Sequence, residues 1–258
     1  MRDNGVRRRL AEGRPALGVS LTVTDPFVTE VVGAAGFDFV LIDAEHGPIA
    51  LDQLQVMLIA LRGSSSTVLV RAAANNPTSV KQILDLGAEG IVVPEVCDAA
   101  DAAAAVAAAK YPPLGIRGFG PRRAARLGGG RAAYIDRADS ETAVIVMIES
   151  ASAVENIDGI LATPGLDGIL VGPADLAVSM GHLRDLGNGE VQDAIERVVQ
   201  ACDRRGFPFG IYAAAEAAAR KWVGRGARLV TIGSDIQFVD AGIARTLALA
   251  RELGAENT

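Results

Sequence analysis

The chain has 258 residues, 50% of them hydrophobic and 22% charged, with a formal net charge of −6. An acidic balance argues against nucleic acid as a partner, because phosphate contacts need a basic surface, and no segment approaches the roughly 18 uninterrupted apolar residues of a membrane span. The first residues lack the apolar stretch of a signal peptide, and Cys97 and Cys202 are too few for a disulfide framework or a thiolate metal site, so a cytoplasmic enzyme is expected.

Short apolar runs alternate with longer helical patterns along the whole sequence, the signature of repeated βαβ units. A helix near Asp3 to Glu12 precedes the first run, Ala16 to Leu21. Further strands are predicted at Phe39 to Ile42, Val68 to Arg71, Gly90 to Val93 and Ala143 to Ile148, then at Gly168 to Val171, Phe207 to Ile211 and Arg228 to Ile232. Eight such strands in about 250 residues fit one closed (β/α)8 TIM barrel with an N-terminal helix, a single domain over residues 1–258.

Asp25-Pro26, Asn76-Pro77 and Asp98 provide helix starts, and the alanine run Ala99 to Ala109 predicts a helix. Tyr111 to Ser140 reads as the longest irregular piece. Its arginines Arg117, Arg122, Arg123 and Arg126 are expected either to meet an anionic substrate or to be solvated.

In this fold the active site is built at the C-terminal ends of the strands. Strand two runs into Asp43, Glu45 and His46; strand three ends in Arg71; strand five runs into Glu149; strand six leads into Gly172-Pro173-Ala174-Asp175. Four strands thus deliver ionisable residues to one rim. His46 with acidic neighbours suits a base near neutral pH. Arg71 suits a carbonyl oxygen that becomes negative. Glu149 and Asp175 together suit an oxygen site for Mg2+ or Mn2+ with positions left for water and substrate. Pro173 pre-sets a helical turn whose free N–H groups can hold a carboxylate. His182 has no comparable setting and reads as structural or as an outer contact.

Together these segments resemble the HpcH/HpaI aldolase family. The resemblance rests on Gly36 to Pro48, Val70-Arg71, Asn76-Pro77 through Gly87-Ala88, Val93-Pro94, Tyr111-Pro112-Pro113, Ile148-Glu149, Val171 to Leu176 and Gly233-Ser234-Asp235. It implies a divalent ion (Mg2+, Mn2+ or Co2+) held by Glu149 and Asp175 and chelated by a 2-oxo acid. It further implies Arg71 beside a pyruvate enolate, His46 supported by Asp43 in proton transfer, and the backbone of Gly172, Pro173 and Ala174 around the carboxylate. The reaction implied is reversible aldol cleavage of a 4-hydroxy-2-oxo acid to pyruvate and an aldehyde, in a homohexamer. The chain departs from the family at Met147, where a glutamine is common, and at Ser20, where a tryptophan is common.

The only lysines, Lys81, Lys110 and Lys221, fall on predicted helices, which disfavours a Schiff base. Two other readings stay open on the same scaffold: a citrate-synthase-like or CoA-ester carbon–carbon enzyme, with the Arg117 to Arg126 segment on CoA phosphates, and a non-catalytic 2-oxo acid binding protein.

Overall fold

Eight parallel strands pair in chain order and close, the eighth returning to the first. They are β1 (Ala16–Leu21), β2 (Phe39–Asp43), β3 (Thr67–Arg71), β4 (Gly90–Val93), β5 (Ala143–Ile148), β6 (Gly168–Val171), β7 (Phe209–Tyr212) and β8 (Leu229–Ser234). The structure is a computed structural model and describes residues 2–255. A short helix α1 (Gly5–Ala11) precedes the barrel, as the sequence predicts. Among the described residues no helix is long and apolar enough to cross a membrane.

Alternation along each strand sorts the side chains into two shells. Phe39, Leu41, Leu69, Ile145, Met147 and Leu170 fill the barrel interior. Val40, Ile42, Val70, Ile91, Val146 and Val171 face the surrounding helices. Aromatics are scarce, so one ring does much of the filling: a Cβ at Gly18 would lie 2.5 Å from the Phe39 ring and 2.4 Å from its carbonyl oxygen. Only glycine lets β1 pass that close to β2.

Helices α2 (Pro26–Ala34), α3 (Leu51–Ala60), α4 (Pro77–Asp85) and α5 (Ala99–Ala109) cover the first half. Asp25, Asn76 and Asp98 each cap a helix by accepting from two backbone N–H groups of the first turn, which satisfies donors that have no intrahelical partner. The second half carries α8 (Ala151–Glu155), α9 (Ile157–Leu161), α10 (Pro173–Ser179), α11 (Gly189–Arg205), α12 (Glu216–Gly224) and α13 (Asp235–Ala255).

The region expected to be irregular holds two helices, α6 (Arg122–Leu127) and α7 (Arg131–Glu141). Arg117 is neither solvated nor near the catalytic mouth. Its side chain is 0% exposed and is bound to Asp85 at 2.7 Å and to the Tyr134 hydroxyl at 3.0 Å. Its guanidinium also lies 4.7 Å from the Tyr111 ring centroid. Arg123 donates to the carbonyls of Leu58 and Leu86 in a cleft with Glu89 and Val68, at the strands' N-terminal ends. A role for either on a phosphate at the barrel mouth is therefore ruled out by position.

Lys110 also differs from expectation. It follows α5 in an extended conformation and donates from its buried Nζ to the carbonyls of Asp139 and Thr142. Strand β7 starts at Phe209 rather than Phe207, because Pro208 has no N–H for the ladder.

Candidate active site

The rim residues are placed by strand register. Asp43 and Arg71 are direct partners in the β2–β3 ladder, so two ends that are 28 residues apart in sequence meet side by side. Arg71 Nε donates to Asp43 Oδ1 at 2.9 Å and Nη2 to Oδ2 at 2.5 Å. The same Oδ1 accepts the backbone N–H groups of Glu45 and His46 at 3.1 and 3.2 Å.

Burial alone would raise the Asp43 carboxyl. The Arg71 hydrogen bonds and charge, helped by the His46 and Glu45 amides, outweigh it and hold the group below its ordinary range. Burial likewise opposes the Arg71 charge, and its carboxylate neighbours more than restore it.

Asp43 therefore supports His46 through the main chain: its carboxylate is taken up by Arg71 and the two amides. The imidazole is 60% exposed at the edge of the rim cavity, and its Nε2 lies 3.9 Å from Glu45 Oε2. Glu45 Oε2 is also 3.0 Å from Arg71 Nη1, an ion pair without a directed hydrogen bond. Burial pushes the Glu45 carboxyl up to about 7, with Arg71 and His46 pulling down and Glu149 and Asp43 adding to the rise. The sequence marks Glu45 only as an acidic neighbour of His46; its burial beside Arg71 and Glu149 is what raises its carboxyl.

Glu149, directly after β5, is 8% exposed. Its Oε1 accepts the Glu95 N–H at 2.7 Å, while Oε2 is buried with no hydrogen-bond partner. Burial raises its pKa, the Glu95 amide opposes this, and the nearby Asp175 charge adds to the rise. Glu95 itself sits at φ 58, the one non-glycine residue with positive φ among those described. Such a conformation persists only where the surroundings impose it, and nothing in the sequence at Glu95 signals it.

Asp175 lies in the first turn of α10, after Gly172 and Pro173. A Cβ at Gly172 would stand 3.2 Å from Glu149 Oε2 and 3.0 Å from Met147 Cε, so glycine leaves the free oxygen its space. An unpartnered buried carboxylate oxygen next to a second carboxylate is a setting that a divalent cation fits and that a neutral core does not. No group of three or more His, Cys, Asp and Glu among the described residues is arranged to hold a metal ion, so an ion here would rest on two carboxylates, with open positions for water and substrate.

Met147 takes a weak hydrogen bond from Arg71 Nη1 at 3.6 Å. His182 binds Glu190 at 2.8 Å and ties the loop after α10 to α11, a structural part. Asp235 is a closure residue: it accepts from the N–H groups of Thr22, Val23 and Ile236 and from the Thr22 hydroxyl, which locks the end of β1 to that of β8. A cavity of about 650 Å3 opens over this rim, reached by His46, Arg71, Met147, Gly172 and Asp175.

A sequence profile of the HpcH/HpaI aldolase/citrate lyase family matches residues 17–241. The chain is 40% identical to 5-keto-4-deoxy-D-glucarate aldolase of Klebsiella pneumoniae subsp. pneumoniae, over 90% of this chain and 91% of that protein. It is 39% identical to the enzyme of that name from Escherichia coli K12 / DH10B, over the same shares. A family protein from Burkholderia cenocepacia J2315 superposes with a TM-score of 0.92 at 36% identity, covering 96% of this chain and 99% of that one. The citrate synthase SbnG superposes with a TM-score of 0.86 at 28% identity, covering 96% and 98%.

Family and relatives agree on a carbon–carbon lyase that cleaves a 4-hydroxy-2-oxo acid to pyruvate and an aldehyde. The chain belongs to the HpcH/HpaI aldolase/citrate lyase family.

Proposed function

We propose that this enzyme is a divalent-metal-dependent pyruvate aldolase for 2-keto-3-deoxy sugar acids, with Glu149 and Asp175 as the metal ligands. The observation that carries the reading is Glu149 Oε2, buried and unpartnered next to Asp175. An ion of the Mg2+, Mn2+ or Co2+ type would polarise the substrate's 2-oxo group. Substrates of the 5-keto-4-deoxy-D-glucarate kind follow from the relatives' activity.

The protein's own residues supply the rest. Arg71, held by Asp43 and lining the cavity, would stabilise the negative oxygen of the pyruvate enolate, its Nη1 exchanging the weak Met147 contact for that oxygen. His46, with Glu45 within 3.9 Å, takes the proton of the 4-hydroxyl as the C3–C4 bond breaks. The main chain of Gly172, Pro173 and Ala174 lines the carboxylate site, with the Ala174 N–H of the α10 first turn, which has no intrahelical acceptor, as its donor; the Gly172 N–H is taken by the Ile148 carbonyl and proline has none.

A homo-oligomer, a hexamer by family likeness, belongs to the same reading. Helix α13 leaves Ile236, Phe238, Val239, Ile243, Leu247 and Leu249 about half exposed, more apolar surface than an isolated helix face usually shows to water. A cytoplasmic setting fits the two separate free thiols, Cys97 and Cys202.

The test is a pyruvate-release screen over 2-keto-3-deoxy acids, run beside borohydride treatment in the presence of pyruvate. Pyruvate release with no borohydride inactivation supports the reading. Inactivation by borohydride and pyruvate would assign the reaction to a lysine and overturn it. The likeness to SbnG favours one second reading, condensation onto a bound 2-oxo acid; turnover of a CoA ester in place of pyruvate release would select it.

A further inference from the structure

The cavity over the catalytic rim does not end there. It continues over residues 213–215, past β7, into a recess between α11 and α12 walled by Leu186, Ile195, Ala218 and Trp222. Sequence explains the hollow: of the seven residues 213–219 six are alanine, broken only by Glu216, so this wall has no side chains to fill the space between the two helices. Lys221 Nζ bonds Gln192 Oε1 at 3.0 Å across the gap, and Arg225 bonds Glu196 at 2.7 Å further along. These polar bridges tie the helices and form an outer rim, while Trp222 stays 6% exposed behind them.

Size and polarity decide what the recess is for. A cavity of about 150 Å3 holds a benzene molecule, and the whole space from the catalytic rim to Trp222 is about 650 Å3, which leaves room beyond the reacting 2-oxo acid for a further substituent. The recess offers polar partners only at its outer edge, where Lys221 and Gln192 are already bonded to each other and Lys221 Nζ lies 4.5 Å from the Trp222 ring centroid; against Leu186, Ile195 and the alanines a buried hydroxyl would go unpaired, which is costly. At the rim, Met147 and Ser20 line the same cavity, one apolar and one small, which leaves the passage open.

We propose that the recess between α11 and α12 receives an apolar substituent of the aldehyde portion, so that the enzyme, besides sugar acids whose hydroxylated chain stays at the polar rim, takes 4-hydroxy-2-oxo acids carrying an aliphatic or aryl-alkyl group on C4. The proposal rests on the aldolase reading for its chemistry, and on continuity of the cavity from Arg71 and Asp175 to Trp222 for its geometry. In the synthetic direction the C3 carbon of pyruvate bonds to the aldehyde carbon, and the proton lost from the pyruvate methyl group is returned as the new 4-hydroxyl.

Trp222 is the only tryptophan in the chain, so its fluorescence reports directly on the recess. The full-length, metal-supplied protein is titrated with 3-phenylpropan-1-ol, which cannot react, while aldol addition of pyruvate to hexanal and to glycolaldehyde is compared. The expected results are a saturable change in Trp222 emission and a kcat/KM for hexanal at least about tenfold above that for glycolaldehyde, given tenfold or more for each well-buried methylene. Ala218→Phe, or Ala214→Leu if the first variant does not fold, fills the space. Either should abolish the emission change and lower hexanal turnover about tenfold while glycolaldehyde turnover is kept within about twofold. Unmoved Trp222 emission, preference for glycolaldehyde, or equal losses for both aldehydes would overturn the proposal. If no aldehyde reacts at all while the alcohol still shifts Trp222, the aldolase reading fails and the recess stands as an apolar binding site.

Discussion

Arg71 grips Asp43 with two hydrogen bonds, at 2.9 and 2.5 Å, from adjacent positions in the β2–β3 ladder. With Asp43 only 5% exposed, the pair is a buried one, and Glu45 leans on the same guanidinium. Removing one member leaves an uncompensated charge. Arg71→Met should lower stability by about 3–5 kcal/mol in urea unfolding, and the double variant with Asp43→Asn should recover part of that loss. Arg71→Lys keeps a charge but not the fork, so kcat for pyruvate release should fall about 100-fold or more. A drop confined to KM would contradict that assignment.

The Glu45 carboxyl gives the metal-free protein a signature in pH. Its folded value, about 7, lies above its ordinary 4.5, so between these limits the folded state binds more proton than the unfolded one. Stability should then fall as pH rises from about 4.5 to 7 and level off above. Asp43, held low, acts in the other direction: its contribution is present above the ordinary aspartate range and is lost as pH falls below it. Comparing urea midpoints of wild type and Glu45→Gln isolates the first effect. Parallel pH curves for the two proteins would show that Glu45 does not titrate there.

Glu149 and Gly172 test the ligand site without relying on turnover. Glu149→Gln removes a buried carboxylate from beside Asp175, so the metal-free variant should be at least as stable as wild type while its affinity for Mn2+ falls about 100-fold or more, beyond the usual outer-shell effect. Gly172→Ala places a methyl group 3.2 Å from Glu149 Oε2 and should weaken Mn2+ binding about tenfold with the fold intact. Calorimetric titration reads both.

Much of this site is written in the sequence because a charged residue stands out at the end of an apolar strand. Asp43, Arg71 and Glu149 are visible for that reason, the pleat of β2, β3 and β5 fixing their face, and Asp175 is visible because Gly172-Pro173 opens a helix directly after an apolar strand. What linear order does not carry is register and backbone conformation. The sequence brings Asp43 and His46 together as neighbours, whereas the ladder gives the Asp43 carboxylate to Arg71 and leaves His46 the main-chain contact. Glu95 acts through an N–H at φ 58, a property of the turn and not of its side chain. Arg117 looked like a surface cation because its partners Asp85 and Tyr134 lie in separate helical segments.

Asp235 separates scaffold from catalysis. Its carboxylate satisfies three buried or half-buried N–H groups and one hydroxyl where the barrel closes. Asp235→Ala should cost about 3 kcal/mol, since hydrogen bonds to charged groups are worth about 1.5–3 kcal/mol and donors are left unmet. The folded fraction should still bind Mn2+ with wild-type affinity. Loss of Mn2+ binding at full stability would place Asp235 in the functional site instead.

The most direct measurement is a joint titration of metal-stripped protein with Mn2+, following bound ion and pyruvate release from a 2-keto-3-deoxy acid in the same samples. Activity should be absent at the start, rise in proportion to bound ion and saturate at a single ion per chain, and Glu149→Gln should show neither binding nor turnover over the same range. Full pyruvate release from metal-free protein, or tight Mn2+ binding retained by Glu149→Gln, would contradict the account.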